Sequence, residues 1–308
     1  MADSRSSDGV RIDDALLRSW PLPQPGDGGK DERGRIVVVA GAPQMPGAAI
    51  LCATAALRAG AGKLQIGTCG SVAAHVASAV VESLTVALDE TPSGAIALSA
   101  APAIVEHANK ADALVIGPGL VDERASSDLI AAVAARLDVA AVVDAAALAC
   151  FAADAGVFAR LEGRVIVTPH AGEMATMLGC DRAAVEADPA RRAREAARKF
   201  RAIVALKGAT TYIADPDGAL YRNDHGDVGL ATSGSGDVLA GIIGGLLARG
   251  TEPLHAAAWG VSLHARAGAA LSQRVGLGFL ARELPAEVPP LMRKLSDPRR
   301  RNLEVEGT

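Results

Sequence analysis

Four short runs without a single charge decide what this chain can become: Ile36-Val-Val-Val-Ala40, Ala113-Leu-Val-Ile116, Val165-Ile-Val167 and Ile203-Val-Ala-Leu206. Continuous apolar runs of this length mark strands buried on both faces, as in parallel sheets. Leu64–Gly67 and Val139–Val143 extend the set. Helical stretches separate them, among them about Ala48 to Arg58 and the basic amphipathic segment Ala190 to Arg201. Strands alternating with helices imply an α/β fold: one doubly wound, mostly parallel sheet flanked by helices on both faces. Tyr212 to Tyr221 reads as a hairpin turning at Pro216-Asp217-Gly218, and Pro253 to Leu271 as a helix carrying His255, Trp259 and His264.

The same alternation divides the chain. Residues 1–34 are rich in proline and glycine and read as a polar lead, with one short helix from Ala15 to Trp20. Residues 35–295 read as a single domain, and 296–308, with Arg299-Arg-Arg301, as a flexible tail. At 50% hydrophobic and 21% charged residues, the chain has the balance of a globular protein. A net charge of -4 argues against a nucleic-acid partner. Ile36 to Leu57 carries no charge, but prolines, glycines and Gln44 break it, which favours strand, loop and helix over a membrane span. The first 19 residues hold no apolar core of a secretory signal, so the expected location is the cytoplasm. Cys52, Cys69, Cys150 and Cys180 lack CxxC spacing and read as small hydrophobes in a reducing compartment.

Chemistry concentrates between Asn223 and Arg249, where a glycine-dense loop runs into a helix. Val238, Leu239, Ile242, Ile243, Leu246 and Leu247 recur with helical period. Gly241, Gly244 and Gly245 weaken that helix intrinsically, so close backbone packing is expected there. Ser233-Gly234-Ser235-Gly236 places small residues beside the unpaired first amides of the helix, an arrangement suited to anions. Asp237 follows directly. Beside a phosphate cradle a carboxylate has a use as the base that takes a hydroxyl proton; it can equally be a first-turn acid complementing the dipole.

Ligands of open α/β sheets sit beyond the carboxyl ends of the strands. Gly117-Pro118-Gly119, Asp144, Thr168-Pro-His-Ala-Gly-Glu173 and Lys207-Gly208 all fall there. Lys207 can bind phosphate or be a strand-terminal charge. His170 and Glu173 can meet a ligand or shape the start of the next helix. Asp144 can hold magnesium or cap the alanine-rich segment after it, and capping is the simpler expectation. Residues spaced as metal ligands are not found. Gly60-Ala-Gly-Lys63 is no Walker A loop, because Leu64 replaces the Ser or Thr that would hold magnesium.

Together these stretches resemble the ADP-dependent NAD(P)H-hydrate dehydratases. The resemblance rests on Gly117–Gly119, Thr168 to Met174, Leu206-Lys-Gly-Ala-Thr-Thr211 and Gly229 to Ile243, with Pro46 to Leu51 and Ala55 to Gly62 matching the N-terminal motif. It runs from about Arg35 to Leu271 and implies a ribokinase-like fold. It implies repair of NADH or NADPH hydrated at C6 of the nicotinamide ring (NADHX, NADPHX): ADP phosphorylates the new hydroxyl, phosphate leaves, and NAD(P)H, AMP and phosphate result. By resemblance Asp237 is the catalytic base and contacts the hydrate together with Ala48, Ala49, Gly119 and His170. Lys207, Gly208, Ala209, Thr210, Thr211 and Gly236 hold the nucleotide, and Mg2+ bridges its phosphates. The family also implies a homotetramer and, since residues 1–34 are too short for an epimerase domain, a separate epimerase. The chain departs from the family at His225-Gly-Asp-Val-Gly229, where Thr-Gly-Asn-Pro-Gly is usual, at Ser233 and at Ala146. The same loop and acid would also serve a small-alcohol or vitamin kinase using ATP.

Overall fold

The structure is a computed structural model describing residues 8–24, 29 and 32–296. Its strands are β1 (Val10–Arg11), β2 (Arg35–Val39), β3 (Lys63–Cys69), β4 (Ser83–Leu88), β5 (Ala113–Ile116), β6 (Ala140–Val143), β7 (Val165–Val167), β8 (Ile203–Leu206), β9 (Thr211–Ala214) and β10 (Leu220–Asn223). They form one ten-stranded sheet in the order β1-β10-β9-β8-β7-β6-β5-β2-β3-β4. Only β9 runs antiparallel to its neighbours, β8 and β10.

Each uncharged run is buried on both sides because the sheet separates two cores. Val38, Val115, Val142 and Ile166 point into one; Val39, Ile116, Val143 and Val167 into the other. Helices Pro46–Arg58, Ser235–Ala248 and Pro253–Val275 cover the first face, and Ala101–Ala108, Glu123–Ala134 and Pro189–Phe200 the second. From β2 the chain winds outward to β4, then returns to β5 on the other side of β2 and winds the opposite way. That reversal opens a crevice beyond the ends of β2 and β5. Across it the Gly41 amide donates to the Pro118 carbonyl at 2.8 Å.

Several elements depart from the pattern in the sequence. The stretch before residue 35 is not simply a polar lead: β1 pairs in parallel with β10, and Ile12 and Leu17 are fully buried. Its helix spans Asp14–Ser19, and the Trp20 ring stacks on His255 at 4.2 Å. Pro25, Gly26 and Gly28, like Arg299–Arg301 in the tail, lie outside the described residues. The alanine-rich stretch after Asp144 is a 3-10 turn, Ala145–Ala149, with a four-residue helix behind it. Helices Gly70–Ala79, Arg182–Ala187 and Leu284–Ser296 carried no distinct sequence signal. Two prolines, Pro289 and Pro290, lie inside the last of these.

The glycine positions of helix Ser235–Ala248 are where it touches its surroundings. A methyl group on Gly241 would lie 2.1 Å from the Cys52 carbonyl oxygen, and one on Gly245 2.3 Å from that of Ala56. On Gly244 it would lie 2.2 Å from the Val115 side chain in the sheet. The helix is thereby held against both Pro46–Arg58 and β5, and its first turn is carried over the strand ends. Replacing Gly241 by alanine should lower stability by about 1–3 kcal/mol in a urea titration, because backbone must move to admit the methyl. Helix propensity alone would add about 1 kcal/mol, so a net gain would mean the two helices separate freely.

Candidate active site

The first turn of helix Ser235–Ala248 begins from Gly234, a left-handed residue (φ 86°) whose missing side chain leaves room for Leu51. Among the described residues no side chain caps this helix. The Ser235 amide reaches the Thr232 carbonyl at 3.3 Å, but the next amides, those of Gly236 and Asp237, remain available, and the positive end of the dipole faces the crevice. Gly236 brings this turn up to Lys207 and Asp144: a methyl there would sit 3.4 Å from the Lys207 Nζ and 3.9 Å from Asp144 Oδ2.

Lys207 joins three carboxylates. Its Nζ donates to Asp144 Oδ1 at 3.2 Å, lies 3.8 Å from Glu173 Oε2, and feels the charge of Asp237. Burial alone would pull the ammonium down, but these acids more than offset it and hold its pKa above the ordinary lysine value. Asp144 is buried and also accepts from the Thr168 hydroxyl at 2.6 Å. Its side chain makes no cap hydrogen bond to the turn behind it, which corrects the capping expectation. The reason is local. Ala145 takes a left-handed conformation (φ 53°), and the Asp144 carbonyl fills the place of a side chain at Gly117. The carboxylate is left facing the crevice.

Asp237 is the third acid. Burial first, then Asp144, pushes its carboxyl up to about 6, against the opposing pull of Lys207. Beneath it lies Cys52, whose thiol is raised well above its ordinary value by burial and by both Asp237 and Asp144. Gly241, one turn on from Asp237, packs on the Cys52 carbonyl, which sets Asp237 near the second turn of helix Pro46–Arg58, whose first turn carries Ala48 and Ala49. A methyl on Gly119 would lie 2.5 Å from the Ala48 Cβ, so these two are in direct apposition. Ala48 keeps 8% of its surface exposed and Ala49 none. The Ala49 methyl packs towards Gly41 instead.

His170 does structural work. Its Nδ1 accepts from the amides of Gly172 (3.0 Å) and Glu173 (3.1 Å), while Glu173 Oε2 accepts from the His170 amide at 2.7 Å. This capping box starts helix Ala171–Leu178 and aims Glu173 at Lys207. The imidazole remains exposed at the rim of a cleft of about 590 Å³ lined also by Lys207, Gly208, Ala209, Thr210, Arg182 and Tyr212. Thr211 is instead in β9, paired with Asn223, and the Thr210 hydroxyl reaches Asp224 at 3.4 Å. The loop His225–Gly229 closes over this turn: a methyl on Gly226 would lie 2.3 Å from the Ala209 carbonyl oxygen. Asp227, one of the departures noted above, accepts from the Gly229 amide and from the Ser272 hydroxyl.

Sequence reasoning thus missed the joint role of Asp144, Thr168 and Glu173. Their common signal was position at the carboxyl ends of adjacent strands β6 and β7. A buried acid, a lysine and uncapped helical amides around one crevice are the components of phosphoryl transfer to an alcohol. The family profile described as NAD(P)H-hydrate dehydratase matches residues 36–290. The chain belongs to the NAD(P)H-hydrate dehydratase family. It is 46% identical over 282 residues to the ADP-dependent (S)-NAD(P)H-hydrate dehydratase of Xanthomonas campestris pv. campestris, covering 91% of this chain and 95% of that protein. Among solved structures it resembles the ADP/ATP-dependent NAD(P)H-hydrate dehydratase of Bacillus subtilis, crystallised with ATP and magnesium (TM-score 0.78, 26% identity, 94% and 100% coverage). A ribokinase-like superfamily protein from Enterococcus faecalis shares the fold at TM-score 0.82 and 24% identity, over 97% of this chain and 100% of that one. The fold of this dehydratase-family chain is ribokinase-like.

The elevated pKa of Asp237 has a consequence for stability. An acid held at about 6 when folded and near 3.8 when unfolded binds more protons in the native state between those values. Stability is therefore lost as pH rises through that window, and the loss persists above it. Asp237→Asn should melt at a higher temperature than the parent at pH 8, with the gap closing as pH falls below 4. Equal melting temperatures at pH 8 would show that the carboxylate is not destabilised where it sits.

Proposed function

We propose that this protein carries out the ADP-dependent dehydration of the S form of NAD(P)H hydrate, acting as a hydro-lyase in cofactor repair. The observation that carries the reading is the pairing of Asp237, poised near neutrality, with the uncapped amides at Gly236 and the Lys207 ammonium. The substrate hydroxyl lies between Asp237 and the terminal phosphoryl group of ADP. As the hydroxyl oxygen attacks, Asp237 takes its proton, the bond to the bridging oxygen breaks, and AMP departs. Lys207 and the helix amides hold the negative charge spreading over the transferred group. The ring nitrogen then expels phosphate, a proton leaves the adjacent ring carbon, and the dihydropyridine is restored.

Ala48, Gly119 and His170 are proposed to bound the hydrate, with the fully buried Ala49 backing that wall against Gly41, and Lys207–Thr211 with Gly236 the nucleotide. The cleft of about 590 Å³ beside Lys207 has room for a nucleoside. Magnesium fits this donor set. One lysine faces three carboxylates, and Asp144 Oδ2 has no partner among the described residues. Among the described residues no three His, Cys or acidic side chains cluster as a ready-made metal cage. A magnesium ion would arrive on the nucleotide phosphates, keep waters, and take Asp144 as its protein contact. When bound, it supplies charge neutralisation between phosphate oxygens. Among the described residues no helix is long and apolar enough to cross a membrane. We further propose action in the cytoplasm, as a homotetramer, with a separate epimerase supplying the S form from the R form.

A small-alcohol kinase using ATP would employ the same base and cradle but release a stable phosphorylated product. Incubation with S-NADHX and ADP should regenerate the NADH chromophore and yield AMP and phosphate, with the rate falling as pH drops through about 6. Asp237→Ala should reduce that rate by on the order of 10²-fold or more while ADP still binds. A phosphorylated alcohol accumulating with ATP, and no NADH, would replace this reading with the kinase.

A further inference from the structure

An anion cradle made of uncapped amides has an internal conflict. The amides of Gly236 and Asp237 must stay unpaired to receive phosphate, the one local bond at this turn is a long one from the Ser235 amide to the Thr232 carbonyl (3.3 Å), and Ser233-Gly234-Ser235-Gly236 is a conformationally loose sequence. Rigidity must come from another element. The nearest candidate is His264, on helix Pro253–Val275, which has no part in the reaction described above. Its ring is buried, and its Nε2 lies 2.9 Å from the Ser235 hydroxyl and 3.0 Å from the Ser235 carbonyl oxygen. Ser235 is the first residue of the glycine-bearing helix and is itself only 5% exposed.

The chemistry of these contacts fixes the tautomer. A carbonyl oxygen can only accept, so Nε2 must carry the proton and donate. Burial first of all pushes the imidazole down to about 4, with Lys207 acting in the same direction, so the ring is neutral near pH 7. An N–H shared by the two oxygens of one residue is a clamp from outside the loop. It leaves the amides of the first turn untouched and leaves the Ser235 hydroxyl hydrogen unclaimed by His264.

We propose that His264 is a positioning residue, whose Nε2–H anchors Ser235 so that the first turn of helix Ser235–Ala248 is held ready for the phosphoryl group. The inference rests on the functional reading above for the identity of that group. Its effect on nucleotide binding does not depend on the hydrate. A neutral clamp also differs from a general acid or base, since it should not appear as a group titrating in the rate.

The test compares His264→Leu, which removes the donor, with His264→Gln, which can replace Nε2–H by an amide N–H. ADP affinity is measured by calorimetry, and turnover with S-NADHX at several pH values. His264→Leu is expected to weaken ADP binding about 5–10-fold and lower kcat on the order of 10–100-fold, with KM for the hydrate within about twofold. His264→Gln should recover most of both losses. The acid limb, set by Asp237 among Asp144, Lys207 and Cys52, should stay near pH 6 in either variant. A folded His264→Leu protein with parental ADP affinity and kcat would overturn the proposal, as would a loss that His264→Gln does not repair. Should the leucine variant fail to fold, His264→Asn, whose amide is too short to reach, takes its place: it should fall below His264→Gln, and equality of the two would overturn the proposal. Failure of the parent to turn over the hydrate while it binds ADP would count against the functional reading, and the ADP affinities would still decide the role of His264.

Discussion

Lys207 stands among Asp144, Glu173 and Asp237, one positive charge to three negative ones, at the open end of an uncapped helix. The fold supplies each member from a different strand end or helix start. Lys207 follows β8, Asp144 follows β6, Glu173 belongs to the capping box after β7, and Asp237 lies in the first helical turn. Because the ammonium is shared, no acid is fully neutralised by it. Asp237, which has burial and Asp144 against it, is left near the pKa at which a carboxylate accepts protons usefully at neutral pH. The cluster costs stability and supplies function, as buried charge in active sites commonly does.

Close packing makes that placement possible. The glycine faces of helix Ser235–Ala248 let its backbone approach Pro46–Arg58 and β5 more nearly than any side chain would permit. The same approach brings Asp237 over Cys52 and within reach of the crevice where Ala48 meets Gly119. One helix therefore ties the two halves of the site together: the nucleotide side at Lys207 and the side towards β2 and β5. Its loose first turn is in turn clamped from behind by helix Pro253–Val275.

Much of this was legible from residues alone. Uncharged runs gave β2, β5, β7 and β8 within a residue of their ends, since only strands covered on both faces can dispense with polar positions. The glycines of the last motif were readable as close contacts because nothing else justifies three of them in one helix. Less was legible where partners lie far apart in sequence. Asp144 looked like a cap because capping is a local act, whereas its actual partners, Thr168 and Lys207, are 24 and 63 residues away. His170 was ambiguous for the opposite reason: its capping bonds are local, and its place beside the cleft depends on the sheet. The lead segment was misjudged because its buried residues, Ile12 and Leu17, are too few to show a period.

The most direct test of the central claim is a crystal structure of the protein with ADP and magnesium bound. The expected result places the terminal phosphate within hydrogen-bond distance of the Gly236 amide and the Lys207 ammonium, with the Asp237 carboxylate facing the space beside it. Phosphates seated away from the helix mouth, or an Asp237 turned from that space and sealed off, would contradict it.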